Sequence, residues 1–448
     1  MSESIRDTIS AEPTKAFFVD MLVRDIPLEQ AVLDLVDNCI DGAKRMAATK
    51  PINKPYEECA VEITMSRDQF RIWDSCGGFD TRTAREYAFR FGRPKDAKPT
   101  AHSIGQFGVG MKRALFKFGK HFGVQSATTE EIWAVDVDVD AWVEDDGWHF
   151  PWADIIPDDQ LSKEKPGTRI TVTKLRAEVA DRFNSAMFVN SIIALIKSKH
   201  RQFISGGLSI RVNGIHVDAT NIFMLVSDGL RPGSESFSVE VKGKGYVDVK
   251  IIAGVGQSSP KEAGWNVICN GRVILEADRR QVTGWGLIEE EAGKLVIPAF
   301  HNQFSRFRGI VSFECDDASC IPWNTTKTDI DQDSPVWRQA FARMREMMRP
   351  VIDFLNELDR DIDEFTRDDS PLLEFVSNAN PVKPETLSAA EKFTAPSRNA
   401  VVKGPRMIKV QYSRKVDDVE FLRDALGVAS AKAVGETCFD MILRKQRG

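Results

Sequence analysis

Apolar residues recur at three- and four-residue spacing between residues 15 and 49, with Leu22, Leu28, Val32, Leu35, Val36 and Ile40 on one stripe, and this spacing predicts helix. Asp25 and Pro27 interrupt the stripe and offer a new N-terminus, so two helices are expected. The period then changes to two. CAVEITMS (59–66) and QFRIWDS (69–75) alternate and are joined by Arg67-Asp68, the pattern of a β-hairpin. Residues 79–92 are expected to be helical, and the polar stretch 93–103, with two prolines, a mobile loop. Over 109–120, Met111, Ala114, Leu115 and Phe118 share one face of an amphipathic helix, while Lys112, Arg113, Lys117 and Lys120 lie elsewhere. Strands near FGVQSAT, EIWAVDVDVDAW and GTRITVTKL (167–175) close one α/β layer.

A helical stretch around 178–203 leads to a second strand-rich run, LSIRVNG, SFSVEVKGKGYVDVKIIAGV, GWNVICNGRVIL and FRGIVSFEC, ended by a helix over 335–365. That is enough strand for a second α+β domain. Proline, serine, asparagine and charge dominate 366–404, which reads as a linker. The tail, 406–447, regains pattern as an alternating IKVQY followed by two short helices split at LGVAS.

Composition narrows the classes. A chain of 448 residues with 42% hydrophobic and 28% charged side chains is globular and too long for one core. The net charge of −6 argues against a protein coated in nucleic acid, so binding of that kind has to be local. Seven scattered cysteines without a CxxC pair favour neither a disulfide framework nor a zinc site, and a reducing, cytoplasmic setting is expected. No stretch approaches the roughly 18 apolar residues of a membrane helix, so no membrane partner is expected.

The densest chemical signal is IGQFGVGMKRALFKFG (104–119), with Gly105, Gly108 and Gly110 ahead of the amphipathic helix. The order GxxGxG after a polar AHS is not the dinucleotide-binding GxGxxG, and Met111 after Gly110 excludes a Walker A loop. A loop freed of β-carbons turns its N–H groups inward, and the positive end of the helix behind it favours an anion such as a polyphosphate. Lys112, in the first turn, adds a point charge for the terminal phosphate, a contact of about 1.5–3 kcal/mol; Arg113 is expected to point elsewhere, into solvent. A purely structural glycine turn is the competing reading.

This stretch resembles the ATP lid of the GHKL superfamily, the group of gyrase, heat-shock chaperone, histidine kinase and MutL, and its continuation MKRALF is more similar to the MORC branch. The resemblance implies that Gly105, Gln106, Phe107, Gly108, Val109 and Gly110 bind ATP phosphates, with Lys112 on the terminal one. Three more motifs follow the family's order. In AVLDLVDNCIDGAKR (31–45), Asp34 and Asn38 stand four apart on one helical face. The resemblance implies that Asn38 holds Mg²⁺ and Asp34 is the base for the attacking water, with Asp41 in the ATP-binding set. The family has Glu where Asp34 stands, which implies slow turnover; on an isolated helix Asp34, Asp37 and Asp41 would read as a solvated acidic face. In WDSCGGFD (73–80), Asp74, Gly77 and Gly78 match the adenine-binding pattern, and Cys76 replaces a frequent glycine. Gly167-Thr168 is similar to the Gly-Thr pair whose hydroxyl helps fix the adenine.

Farther on, GWNVICNGRVILEADR and FRGIVSFECDDASCIPWNTTKTDID resemble MORC transducer strands and loop, which implies that Lys327 reaches back to the terminal phosphate. The fold expected is therefore α+β: a Bergerat-type α/β sandwich ATPase domain (14–180), an α+β transducer domain (181–345), a helical extension (346–365), a linker (366–404) and a small C-terminal strand-helix-helix module (405–448). The implied activity is an Mg-dependent, slow ATPase clamp that forms a homodimer with ATP, its polar N-terminal residues 1–14 crossing to the second protomer, and acts on DNA or a protein client. A nucleotide-gated binding or chaperone module without useful turnover is the alternative. A histidine kinase is excluded, since the 33 residues before Asp34 contain no histidine. Two readings of the tail stay open: a ribbon-helix-helix-like DNA module, favoured by nine basic against six acidic residues over 406–447, and a small docking or dimerising module.

Overall fold

The computed structural model describes residues 14–24, 26–47, 54–90, 102–105, 110–287, 297–365, 370–388, 390–397 and 410–448. By its backbone contacts the chain falls into two compact units, Met1–Glu357 with Val376–Ser397, and Leu358–Phe375 with Arg398–Gly448. The α+β class expected from the sequence holds, and both strand-rich regions lie in the first unit.

The chain opens with α1 (Lys15–Arg24) and α2 (Leu28–Ala47), split at the expected break. In α2 the predicted stripe of Leu28, Val32, Leu35, Val36 and Ile40 is buried, each side chain contributing about 1.5–3 kcal/mol. The polar face is buried as well: Asp34, Asp37 and Asp41 are all inside, so the solvated acidic face does not exist. The expected hairpin is formed by β1 (Ala60–Met65) and β2 (Phe70–Asp74), with Ile63 opposite Ile72 and Val61 opposite Asp74. Where one helix was expected over 79–92, the described residues hold one turn, α3 (Thr81–Thr83), continued as a π-helical turn at Ala84–Ala88 and capped by the Asp80 carboxylate on Thr83 N–H.

Helix α4 (Gly110–Phe118) packs on α1 and α2 and runs directly into β3 (Gly119–Ala127). The expected strand EIWAVDVDVDAW is half strand: β4 (Ile132–Asp138) stops where Asp138 accepts from Ala141 N–H and caps α5 (Val139–Glu144). β5 (Gly167–Leu175) follows, then α6 (Ala177–Phe183), α7 (Ala186–Lys199) and α8 (Arg201–Ser205). β6 (Ser209–Val212) pairs parallel with β1 and carries the edge strand β7 (Ile215–His216). The first sheet, ordered β4-β3-β5-β2-β1-β6-β7, thus extends past the boundary drawn at residue 180, because β1 recruits a strand from beyond the helices.

β8 (Met224–Val226) precedes a second, five-stranded sheet of β9 (Gly233–Val241), β10 (Gly245–Val255), β11 (Gly264–Cys269), β12 (Arg272–Asp278) and β13 (Phe307–Glu314), ordered β12-β11-β13-β10-β9. The β11–β12 turn is Asn270-Gly271, both at positive φ (46° and 83°), as a two-residue hairpin of matching twist requires. Helix α9 (Pro335–Phe365) begins in the first unit and ends in the second, followed by α10 (Pro371–Ser377) and β14 (Asn380–Val382). β14 pairs with β8, and Glu391 and Thr394 bridge to Ser234 and Arg231, so much of the expected linker is folded onto the first unit.

In the second unit the buried Asp361 carboxylate accepts from Ser370 Oγ and Leu372 N–H and caps α10. Two further helices, α11 (Val416–Leu426) and α12 (Ala431–Arg447), pack on each other across a turn at Gly427 (φ 66°). Residues 410–415 are not a strand, which corrects the described part of the strand expected at IKVQY; 406–409 lie outside the described residues.

Candidate functional site

A cavity of about 600 Å³ opens beside α2 in the first unit. Asp34, Asn38, Asp41, Asp74, Gly78, Gly105, Gly110, Thr168 and Lys327 all line it, so five segments separated in sequence meet in one space. Helix α2 supplies one wall. Asp34 and Asn38 sit a turn apart on it, and Asn38 is exposed to the opening while its neighbours are buried. Asp34 Oδ1 accepts from Gln30 Nε2 at 2.9 Å.

At one end β2 delivers Asp74. Its Oδ1 accepts from Cys76 N–H at 2.8 Å, and β5 places Thr168 directly opposite. Burial pushes the Asp74 carboxyl up to about 6, against hydrogen bonds from Cys76 N–H and the Cys39 thiol and the charge of Arg45. Gly78, at φ +59°, is required: a Cβ there would lie 2.1 Å from the Ala127 carbonyl oxygen and 2.7 Å from that of Gly167. Thr168 Oγ1 meets Ser126 Oγ at 3.2 Å, and Ser126 Oγ accepts from Phe79 N–H, which ties the adjoining turn to the sheet. Gly77 matches the motif but does not line the cavity.

At the other end lie the start of α4 and the loop that carries Lys327. Lys327 stands at φ +54° in a turn organised by Asn324, whose carbonyl takes Lys327 N–H and whose side-chain oxygen takes Thr328 N–H. Arg280 braces the same loop through Asp329. Lys327 Nζ donates to Asp37 Oδ2 at 2.8 Å and lies 3.6 Å from Asp34 Oδ1. Asp37, fully buried, also receives Arg272 Nη1, and its Oδ1 lies 2.9 Å from His200 Nε2. Burial alone would push the Asp37 carboxyl up; Arg272, Lys327 and His200 override it and hold it well below the carboxylate range. Burial pulls His200 down, against its hydrogen bond to Asp37 and that carboxylate's charge. Of this cluster the sequence singled out Asp37 and Lys327, each for another role, and gave no sign of His200 or Arg272; the partners of Asp37 lie 163, 235 and 290 residues away.

Three expectations change. Asp41 lines the cavity, but its oxygens are taken by the segment leading to the glycines: Ser103 Oγ, Ile104 N–H and Gly105 N–H each donate at 2.8 Å. Asp41 therefore seats that segment. Lys112 does not line the cavity; its ammonium donates to the carbonyls of Ala88 and Arg90, both at 2.7 Å, and burial pulls it down to about 7. Arg113, expected in solvent, lines the cavity instead, as do Arg45 and Tyr87, which the motifs did not single out. Gln106, Phe107, Gly108 and Val109 lie outside the described residues, as do residues 1–13.

The arrangement suits a nucleotide with a divalent ion. A buried carboxylate beside a glycine cradle could accept a hydrogen bond from a flat, polar base, and cations at the far end could meet anionic groups. Among the described residues no cluster of three or more His, Cys, Asp or Glu side chains forms a metal site. The exposed Asn38 amide fits a Mg²⁺ ion that takes most of its oxygens from phosphate and water. Among those residues, too, no single helix is long and apolar enough to cross a membrane.

A comparison with curated proteins gave no match. Residues 26–168 match the family model described as histidine kinase-, DNA gyrase B-, and HSP90-like ATPase, a span that holds α2, Asp74 and Thr168 but neither the second sheet nor Lys327. Those residues are therefore similar to ATPase domains of the GHKL type, a similarity that suggests ATP binding.

Proposed function

We propose that the cavity binds ATP with Mg²⁺ and that the chain hydrolyses it slowly. The observation that carries this reading is the meeting, in one cavity, of the buried Asp74 with Asp34, Asn38 and Lys327. Asp74, ionised above about pH 6, accepts a hydrogen bond from the adenine amino group, and Thr168 supports the base from β5. Asn38 holds Mg²⁺, which when bound neutralises phosphate charge. Asp34 orients and deprotonates the attacking water, a function worth roughly 10²–10⁴-fold in rate. Its carboxylate is a methylene shorter than that of Glu, and slow turnover follows from the longer reach to the water.

Lys327 is the terminal-phosphate sensor of this reading. It comes from beyond the second sheet, so binding the phosphate joins α2 to that sheet, and loss of the phosphate releases it. We read the second sheet as a MORC-like transducer and the chain as a cytoplasmic, ATP-gated homodimeric clamp on DNA or a protein client; seven cysteines, none of them in a disulfide, support a reducing compartment. Titration calorimetry with ATP on wild type and Asp74→Asn tests the pocket. Heat in the first and none in the second is expected, and no heat in well-folded wild type overturns the reading. Sizing in solution with and without a non-hydrolysable analogue tests the clamp.

A binding module without turnover is the second reading, favoured by Asp34 in place of the longer carboxylate. Phosphate release indistinguishable from that of Asp34→Ala would select it.

A further inference from the structure

We infer that Arg113, and not Lys112, is the cation of helix α4 that meets the phosphates of the nucleotide. This rests on the ATP reading above and adds a residue to that site. The phase of the helix decides between the two neighbours. A Cβ at Gly110 would lie 3.0 Å from Asp34 Oδ2, so the face of α4 that carries Gly110 is turned to Asp34. At about 100° per residue, position 113 returns to that face and position 112 lies on the far side. The side chains follow: Arg113 lines the cavity, and Lys112, 1% exposed, ties α4 to the carbonyls of Ala88 and Arg90.

Arg113 is also unsatisfied where Lys112 is not. Its Nε is buried without a hydrogen-bond partner among the described residues. A buried N–H of this kind carries a desolvation cost that an anionic acceptor removes. Of the other cations lining the cavity, Arg45 stands within 3.5 Å of the Gly78 carbonyl beside the base end, and Lys327 comes from the loop after β13 and not from α4. A guanidinium offers a planar fork to two phosphate oxygens and stays charged at every working pH. Lys112, pulled toward neutrality by burial and held by two carbonyls, acts as a positioning residue for α4.

The test compares ATP, ADP and adenosine binding by calorimetry in wild type, Arg113→Ala, Arg113→Lys and Lys112→Met, with thermal melts to establish folding. Arg113→Ala is expected to weaken ATP by about tenfold to a hundredfold and to leave adenosine unchanged, and Arg113→Lys to restore part of the loss. Should the alanine variant melt early, Arg113→Gln, which keeps the length and drops the charge, takes its place with the same expectation. An unchanged ratio of ATP to adenosine affinity in folded Arg113→Ala overturns the inference. So does a phosphate-specific loss confined to Lys112→Met. Failure of wild type to bind ATP would instead remove the reading beneath it, so the two failures are distinguishable.

Discussion

The ammonium of Lys327 lies 2.8 Å from Asp37 Oδ2 and 3.6 Å from Asp34 Oδ1, so one cation from beyond the second sheet touches both carboxylates of α2 that face it. Asp37 does not depend on it, because Arg272 and His200 hold the same carboxylate. Lys327 is therefore able to leave Asp37 for a phosphate without stranding a buried charge. Removing Asp37 is different: Arg272 would lose its buried counterion and Lys327 the nearer of its two.

Asp37→Asn is accordingly expected to cost about 3–5 kcal/mol of stability, the loss typical of breaking a buried ion pair from one side. Lys327→Met, which keeps the stem and leaves Asp37 two partners, is expected to cost less than half as much. On the proposed reading it also erases the preference for ATP over ADP. Urea unfolding of both variants, with ATP and ADP calorimetry on Lys327→Met, checks the pair; equal destabilisation by the two would refute the shared-counterion account.

Asp74 gives a pH signature. Its folded pKa, about 6, stands above the ordinary 3.8, so between those values the folded state holds a proton that the unfolded state lacks. Stability from this group is full below about pH 4 and is lost as pH rises through 6, a cost approaching about 3 kcal/mol. Asp74→Asn is expected to melt higher than wild type at pH 7.5, by a margin that shrinks toward pH 4. On the proposed reading ATP binding runs the other way: the ionised carboxylate would be the acceptor, so affinity is expected to fall below pH 6 in wild type. Melting curves across pH 4–8 with matched calorimetry read both, and a margin independent of pH would contradict the assignment.

What the sequence disclosed depended on how local its physics was. The stripe of Leu28, Val32, Leu35, Val36 and Ile40 and the alternation of β1 and β2 are decided within a few residues, and both elements stand where the spacing puts them. The half-strand at 131–142 hid a capping Asp138 inside an alternating run. Lys112 and Arg113 are adjacent, and which of them faces the cavity turns on where α4 begins, an offset of one residue that composition does not carry. The Asp37 cluster is less legible still, since its partners come from the end of α7, the start of β12 and the loop after β13. The folding of 376–397 onto the first unit depends on pairing between β8 and β14, each three residues long and too short to show a period.

Gly78 tests the cradle independently of any ligand. Its Cβ would overlap the Ala127 carbonyl oxygen at 2.1 Å, and its φ of +59° disfavours any side chain. Backbone on both sides leaves no flexible group to give way. Gly78→Ala is expected to destabilise the fold by at least about 1–3 kcal/mol and to abolish nucleotide binding, measured by thermal melting and calorimetry. A variant that melts like wild type would mean that the turn relaxes freely and is no rigid cradle.

The last prediction concerns Asp34. Gln30 fixes one of its oxygens from a turn earlier, and the other faces the start of α4, 3.0 Å from where a Gly110 Cβ would be. The carboxylate is thus aimed at the gap between α2 and α4, and a side chain one methylene longer reaches farther into the cavity along the same line. If Asp34 is the base and its short reach limits the rate, Asp34→Glu should release phosphate faster than wild type, by about tenfold, within the roughly 10²–10⁴ that a well-placed base supplies. Asp34→Ala should bind ATP and lose turnover, and Asp34→Asn should match it, since an amide keeps the Gln30 contact but accepts no proton. Single-turnover phosphate release on the three variants separates these outcomes. A glutamate variant slower than wild type, with ATP affinity unchanged, would show that the aspartate is already at its working distance, and full activity in the alanine variant would remove Asp34 from the chemistry.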